Sequence, residues 1–289
     1  MVLASSTTQT HTNNDAGLAK LPQTQIEKSS KMIFPIRDEN PQILVPYITY
    51  FLIGANFISW LVIQSIGAEP GLSQSVCSFG LIPADLSGAR FSSDLQMCEI
   101  DGQPDWHTVV SAMFMHGSWM HLIGNMWFLW IFGNNVEDAM GPVRFLAFYI
   151  LSGLAASAAQ VIADTGSVIP MVGASGAIGG VMGAYIVLYP RVHVHMFVMI
   201  IFRSFAVPAF LMLGYWIAVQ FMGVYSSLGN TGGGVAFWAH IGGFLAGAAL
   251  IFIFKDEKLL AQHQYRGWNQ KRHSEAVWQK VSTRDQRWQ

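Results

Sequence analysis

Residues 204–254 read SFAVPAFLMLGYWIAVQFMGVYSSLGNTGGGVAFWAHIGGFLAGAALIFIF, with no Asp, Glu, Lys or Arg among them. A helix needs about 20 apolar residues to cross a bilayer, so this stretch holds two spans, at about 208–225 and 237–254. The connection Ser226–Ala236 carries Gly232-Gly-Gly234 and is flexible by composition. Working outward, residues 40–68, 106–136, 145–163 and 165–190 are also free of those four residue types. Each is long enough for one further span, which predicts six in all. The other four lie at about 44–66, 114–134, 144–163 and 174–189, and residues 192–207 connect the fourth to the fifth. The chain of 289 residues is 52% hydrophobic and 11% charged, where a soluble domain carries about 25% charge. The expected fold is therefore an all-α membrane protein, with a polar N-terminal tail over 1–43 that is disordered, a membrane domain over 44–254 and a soluble tail over 255–289.

The basic residues predict orientation. With the N-terminus inside, Lys20, Lys28, Lys31, Arg37, Arg144, Arg191, Arg203 and the eight basic residues of the C-terminal tail are cytoplasmic. Only Arg90 of the sixteen lies outside. Both termini are expected to be cytoplasmic, in the plasma membrane of a bacterium. Cys77 and Cys98 are the only cysteines, and both fall in the first outer loop. They are a candidate disulfide in an oxidising compartment, with two separate thiols as the alternative. No cofactor, metal or nucleic-acid partner is expected. No Cys/His cluster has metal-ligand spacing, and no glycine loop carries the lysine of a phosphate site.

Polar residues inside spans are costly and usually functional. Here they include His116, His121 and Asn125 on the second span, Ser175 on the fourth and His240 on the sixth. These three spans all run inward, which puts His121, Ser175 and His240 at one depth in the outer leaflet. Ser175 opens its helix within Gly173-Ala-Ser-Gly176, where free backbone N–H groups and the helix dipole favour developing negative charge. His240 can take the hydroxyl proton and later return it to a leaving amine. His121 and Asn125, four apart, share a helix face. Gly176 and Gly180, Gly179 and Gly183, and Gly243 and Gly247 form small-residue faces that allow the fourth and sixth helices to approach closely.

Other function classes fit less well. A transporter or channel wants polar groups near the midplane, whereas these cluster at one depth. A soluble serine hydrolase wants Gly-x-Ser-x-Gly, but residue 177 is Ala.

Gly173-Ala-Ser-Gly176, Ala239-His-Ile-Gly-Gly243 with Gly247, and His116-Gly-Ser-Trp-Met-His121-Leu-Ile-Gly-Asn125 together resemble the rhomboid family of intramembrane serine proteases. Phe132-Gly133, Val136-Glu137, Gly141 and Arg144-Phe145 extend the match, which covers about 44–254. The resemblance implies a six-helix rhomboid-type bundle and a Ser175–His240 dyad without an aspartate. It implies an oxyanion hole of His121, Asn125 and the Ser175 N–H, and supporting roles for His116 and Glu137. The implied substrates are single-pass membrane proteins cut near the outer surface of the bilayer. A silent relative acting as a membrane chaperone or binding protein is the alternative, but such a protein would lack Ser175 or His240. The chain departs from some relatives at Trp106-His107, where they have Trp-Arg. It also has Gly179, where they have a Tyr that stacks on the histidine. Tyr185 or an aromatic on another helix is the candidate to orient His240 instead.

Overall fold

The computed structural model describes residues 33–88, 90–91, 98–227, 235–263 and 265–267. In chain order, strand β1 (Ile33–Asp38) precedes helix α1 (Tyr47–Ile58), which continues as a wider turn over Ser59–Ile63. Short elements follow: helices α2 (Gly71–Phe79) and α3 (Pro83–Leu86), strands β2 (Arg90–Phe91) and β3 (Ile100–Asp101), and helix α4 (Thr108–Ser111). Two long helices come next, α5 (Trp119–Met140) and α6 (Pro142–Ala163), and then α7 (Ser175–Leu188). Strands β4 (His193–Val198) and β5 (Arg203–Pro208) form a hairpin. Helices α8 (Ala209–Ser227), α9 (Phe237–Phe254) and α10 (Glu257–Leu260) complete the order. The protein is mostly helical. Helices α6, α8 and α9 are long and apolar enough to cross a membrane, and α1 with its extension and α7 are shorter apolar helices.

Local sequence explains the helix ends. The Ser118 hydroxyl caps α5, accepting from the His121 N–H at 3.1 Å. Gly141, at φ +79°, ends α5, and Pro142 opens α6 at its first position. Helices α7 and α9 meet backbone to backbone. A Cβ on Gly243 would run into the Gly176 carbonyl, and one on Gly247 into the Gly180 carbonyl. The helix faces read from glycine spacing are therefore the faces in contact. Glu137 accepts from the N–H groups of Ile48 and Thr49 and from the Thr49 hydroxyl, at 2.8–3.0 Å, and so caps the start of α1.

The sheet is where the structure departs from an all-α reading. Residues 192–207, expected as a connection with an apolar face, instead hold nearly all of the β4-β5 hairpin, and β1 adds to it in the antiparallel order β1-β4-β5. This sheet lies along α5. Trp127 Nε1 donates to the Pro35 carbonyl at 2.6 Å, and Asn135 Nδ2 donates to Asp38 at 2.8 Å. Burial pushes the Asp38 carboxyl up to about 7, although the Tyr185 hydroxyl also donates to it. His195 and His193 face Glu39, at 2.9 and 3.5 Å. Residues 33–43 thus join the fold, as do the first residues past α9. The Asp256 N–H donates to the Ala139 carbonyl at 2.8 Å, and His263 is buried beside Asp138 and the Tyr189 ring. The disorder expected of 1–32 and the flexibility expected at Gly232-Gly-Gly234 fall outside the described residues.

Candidate active site

Helices α5, α7 and α9 all start at the same end of the bundle, and a cavity of about 490 Å³ opens there. His121, Asn125, Gly173, Ser175, Trp216 and His240 line it, and its described lining contains no Asp, Glu, Lys or Arg. Ser175 and His240 are half-buried, so both can be reached from the cavity.

Ser175 is the first residue of α7. The first N–H groups of a helix have no acceptor within it, so those of α7 begin at the cavity wall. The segment before α7 is tied down. Leu81 and Met171 exchange backbone hydrogen bonds at 2.7 and 2.9 Å, and the Gly173 N–H donates to the Ala112 carbonyl at 2.9 Å. Gly173 has φ +125°, a conformation open to glycine.

His240, in the first turn of α9, places Nε2 2.8 Å from Ser175 Oγ. Its other nitrogen, Nδ1, is 2.7 Å from Gln220 Oε1 on α8. The Trp216 ring leans on the imidazole with centroids 5.7 Å apart and planes at 40°. A Cβ at Gly179 would be 3.1 Å from the His240 carbonyl and 3.7 Å from the Trp216 ring. A larger residue at 179 would crowd that space, and Trp216 supplies the ring from another helix. Tyr185 plays no part here, since its hydroxyl is taken by Asp38 at the far end of the bundle.

His121 and Asn125 converge over Gly173. A Cβ on that glycine would be 2.7 Å from His121 Nε2 and 3.4 Å from Asn125 Nδ2. The Gly117 N–H donates to His121 Nδ1 at 3.4 Å, which leaves the ring hydrogen on Nε2, facing the cavity. Asn125 Nδ2 is buried and has no hydrogen-bond partner. Two neutral donors therefore point into one space beside Ser175. His116 is fully buried, with its ring edge-on to His121 at 5.0 Å. Its backbone N–H and carbonyl are both held by the Gln64 amide, at 2.8 and 2.7 Å.

The short elements around α2 support this end. The structure joins Cys77 to Cys98 in a disulfide with Cα atoms 5.3 Å apart. His107 Nε2 is 3.0 Å from the Ser78 carbonyl, which ties Trp106-His107 to α2 without an arginine.

Gln220 and Trp216 are the neighbours of His240 that motif reading passes over. Gln220 had a signal of its own: it is an uncharged polar residue inside a span, the same criterion that singles out Asn125.

The Rhomboid domain family model matches residues 103–257. Rhomboid protein 1, mitochondrial, of Saccharomyces cerevisiae is 29% identical over 164 residues, covering 55% of this chain and 44% of the relative. RHOMBOID-like protein 5 of Arabidopsis thaliana is 26% identical over 161 residues, covering 50% of this chain and 52% of the relative. Rhomboid protease GluP of Bacillus subtilis is 30% identical over 209 residues, covering 71% of this chain and 35% of the relative. The chain spans roughly a third to a half of the length of these relatives.

Proposed function

The chain belongs to the rhomboid family, and from that premise we propose that it is an intramembrane serine endopeptidase acting on single-pass membrane proteins. The observation that carries this reading is the 2.8 Å contact between His240 Nε2 and Ser175 Oγ, at the wall of a cavity with neutral donors opposite. The Bacillus relative, itself named a protease, supports the same class.

In this reading Ser175 Oγ attacks the scissile carbonyl as His240 Nε2 takes its proton. The oxyanion that forms is met by His121 Nε2–H, Asn125 Nδ2–H and the Ser175 N–H. Such donors act most strongly where water is scarce and no reorganisation is needed. His240 then protonates the departing amine, and the new N-terminus leaves. A water entering the cavity gives its proton to His240 and attacks the acyl-enzyme, which regenerates Ser175. His116 holds the turn before α5 beneath His121, and Glu137 fixes α1 to the far end of α5.

The membrane arrangement belongs to the same proposal. Helices α1, α5, α6, α7, α8 and α9 are the six spans of a bacterial plasma-membrane protein, with both termini cytoplasmic. The supporting facts are the skewed Lys/Arg distribution and a disulfide at the cavity end, as suits an oxidising side. Substrates would then be cut near the outer surface.

The test is cleavage of a single-span substrate by the purified chain in liposomes. Wild type should cut, and Ser175→Ala and His240→Ala should each abolish cutting while still unfolding cooperatively. Undiminished cleavage by Ser175→Ala would rule the proposal out.

A further inference from the structure

A dyad leaves one nitrogen of its histidine without a task, and in this chain that nitrogen is occupied. Gln220 is on α8, one helical turn after Trp216, and is nearly fully buried. Its two amide atoms have different partners. Nε2 donates to the Trp216 carbonyl at 3.1 Å, within the same helix. Oε1 therefore faces His240 Nδ1, at 2.7 Å.

That arrangement determines where the ring hydrogen sits. A carbonyl oxygen only accepts, so Nδ1 must carry the hydrogen, and a neutral imidazole then has a bare Nε2. A bare Nε2 is what the Ser175 hydroxyl needs as an acceptor, and it lies 2.8 Å away. The opposite tautomer would set an N–H against the hydroxyl and a lone pair against Oε1. It would lose the bond to Gln220, and its Nε2–H could only donate to the Ser175 oxygen, not take the hydroxyl proton.

We infer that Gln220 is a positioning residue that holds His240 in the Nδ1–H form and in the ring orientation that aims Nε2 at Ser175. The protease would then work with a Ser–His–Gln arrangement, whose third member comes from α8 rather than from the helices that carry the reacting pair. Trp216 contributes the ring face and Gln220 the polar anchor, one turn apart on the same helix. This rests on the protease reading above and adds to it the residue that readies the base.

The acceptor is neutral, and that has a chemical consequence. An amide oxygen orients an imidazole but stabilises the imidazolium less than a carboxylate does. The groups around His240 are Ser175 on α7, Gln220 and Trp216 on α8, the Gln160 amide of α6 at the Ala239 N–H, and His121 on α5. Of these only His121 carries another ionisable group, and none is a carboxylate. Placing a carboxylate at 220 should therefore register directly in the pH dependence of turnover.

The experiment uses the full chain in liposomes with a single-span test substrate, alongside labelling of Ser175 by a fluorophosphonate probe. Gln220→Leu keeps the bulk and removes the acceptor. It should lower kcat by about ten- to a hundredfold while leaving KM and the unfolding temperature near wild type. Gln220→Glu restores the acceptor and should recover turnover. Because a carboxylate favours the charged imidazole, it should also move the acid limb of the kcat/KM profile to higher pH. A residue that only packs would not produce that shift. A folded Gln220→Leu chain with wild-type kcat and profile overturns the inference while the protease reading stands. If Gln220→Leu does not fold, an unmoved acid limb in Gln220→Glu overturns it instead. A wild-type chain whose Ser175 never labels overturns both.

Discussion

Replacing Gly243 by alanine adds one methyl group where α9 crosses α7. A Cβ there would be 2.9 Å from the Gly176 carbonyl carbon, closer still to its oxygen, and 3.3 Å from the Ala156 Cβ on α6. Carbon atoms rest at about 3.5 Å or more, so with the oxygen nearer still α7 and α9 must part by at least about 0.6 Å, and Ala156 blocks a sideways escape. The opposing atoms are backbone and cannot rotate away. Gly176 adjoins Ser175, and Gly243 is one turn from His240, so the strain falls on the 2.8 Å Oγ–Nε2 contact. Stretched by that amount, it passes beyond good hydrogen-bond range. A misplacement of about 1 Å can lower a rate by about 10²-fold, so a loss of about ten- to a hundredfold in kcat is expected. Overpacking costs about 1–3 kcal/mol, offset by the roughly 0.5–1 kcal/mol that alanine gains over glycine in a helix. The net cost is therefore about 0–2.5 kcal/mol, which leaves a folded chain whose turnover can be measured. The assay pairs turnover of a single-span substrate with thermal unfolding in the same detergent. Gly54→Ala, on α1 with nothing within 4 Å of the added Cβ, is the control and should keep full turnover. A folded Gly243→Ala chain that cuts at the wild-type rate would refute the close-approach reasoning.

Asn125→Ala should lower kcat by about 10²–10³-fold, the usual effect of losing one oxyanion donor. Stability should hold, since Asn125 Nδ2 has no partner to lose; equal losses in turnover and unfolding temperature would mark the residue as packing. Asp38→Asn tests the sheet. Because burial raises the Asp38 carboxyl to about 7, the folded protein keeps a proton that the unfolded chain releases near 3.8. Stability from this group is thus present at low pH and lost as pH rises from about 4 to about 7. The variant should flatten that part of the unfolding-temperature profile, and an unchanged profile would count against the assignment.

The helices and the residues around the cavity were legible because their signals are local. Charge-free runs mark apolar helices, and spacing of three, four and seven puts Gly243 and Gly247 on the face of His240. Ser175 and His240 pair on sequence alone, since each opens an apolar helix of the same direction. The sheet was not legible. Ile33–Asp38 pairs with a strand some 160 residues away, and nothing in either segment names the other. The two Val residues that β4 buries, Val194 and Val198, are too few to stand out against the apolar background. The orientation of His240 was open for a related reason. Tyr185 has the right chemistry but points toward Asp38, and the answer came from Gln220, whose register on α8 depends on how that helix packs on α9.

The most direct test of the central claim is the site at which a fluorophosphonate probe attaches to the 289-residue chain in detergent, read by mass spectrometry of the labelled peptide. The account predicts one adduct, on Ser175, which disappears in His240→Ala although that variant still unfolds cooperatively. An adduct on another serine, or labelling of Ser175 that persists undiminished without His240, would contradict it.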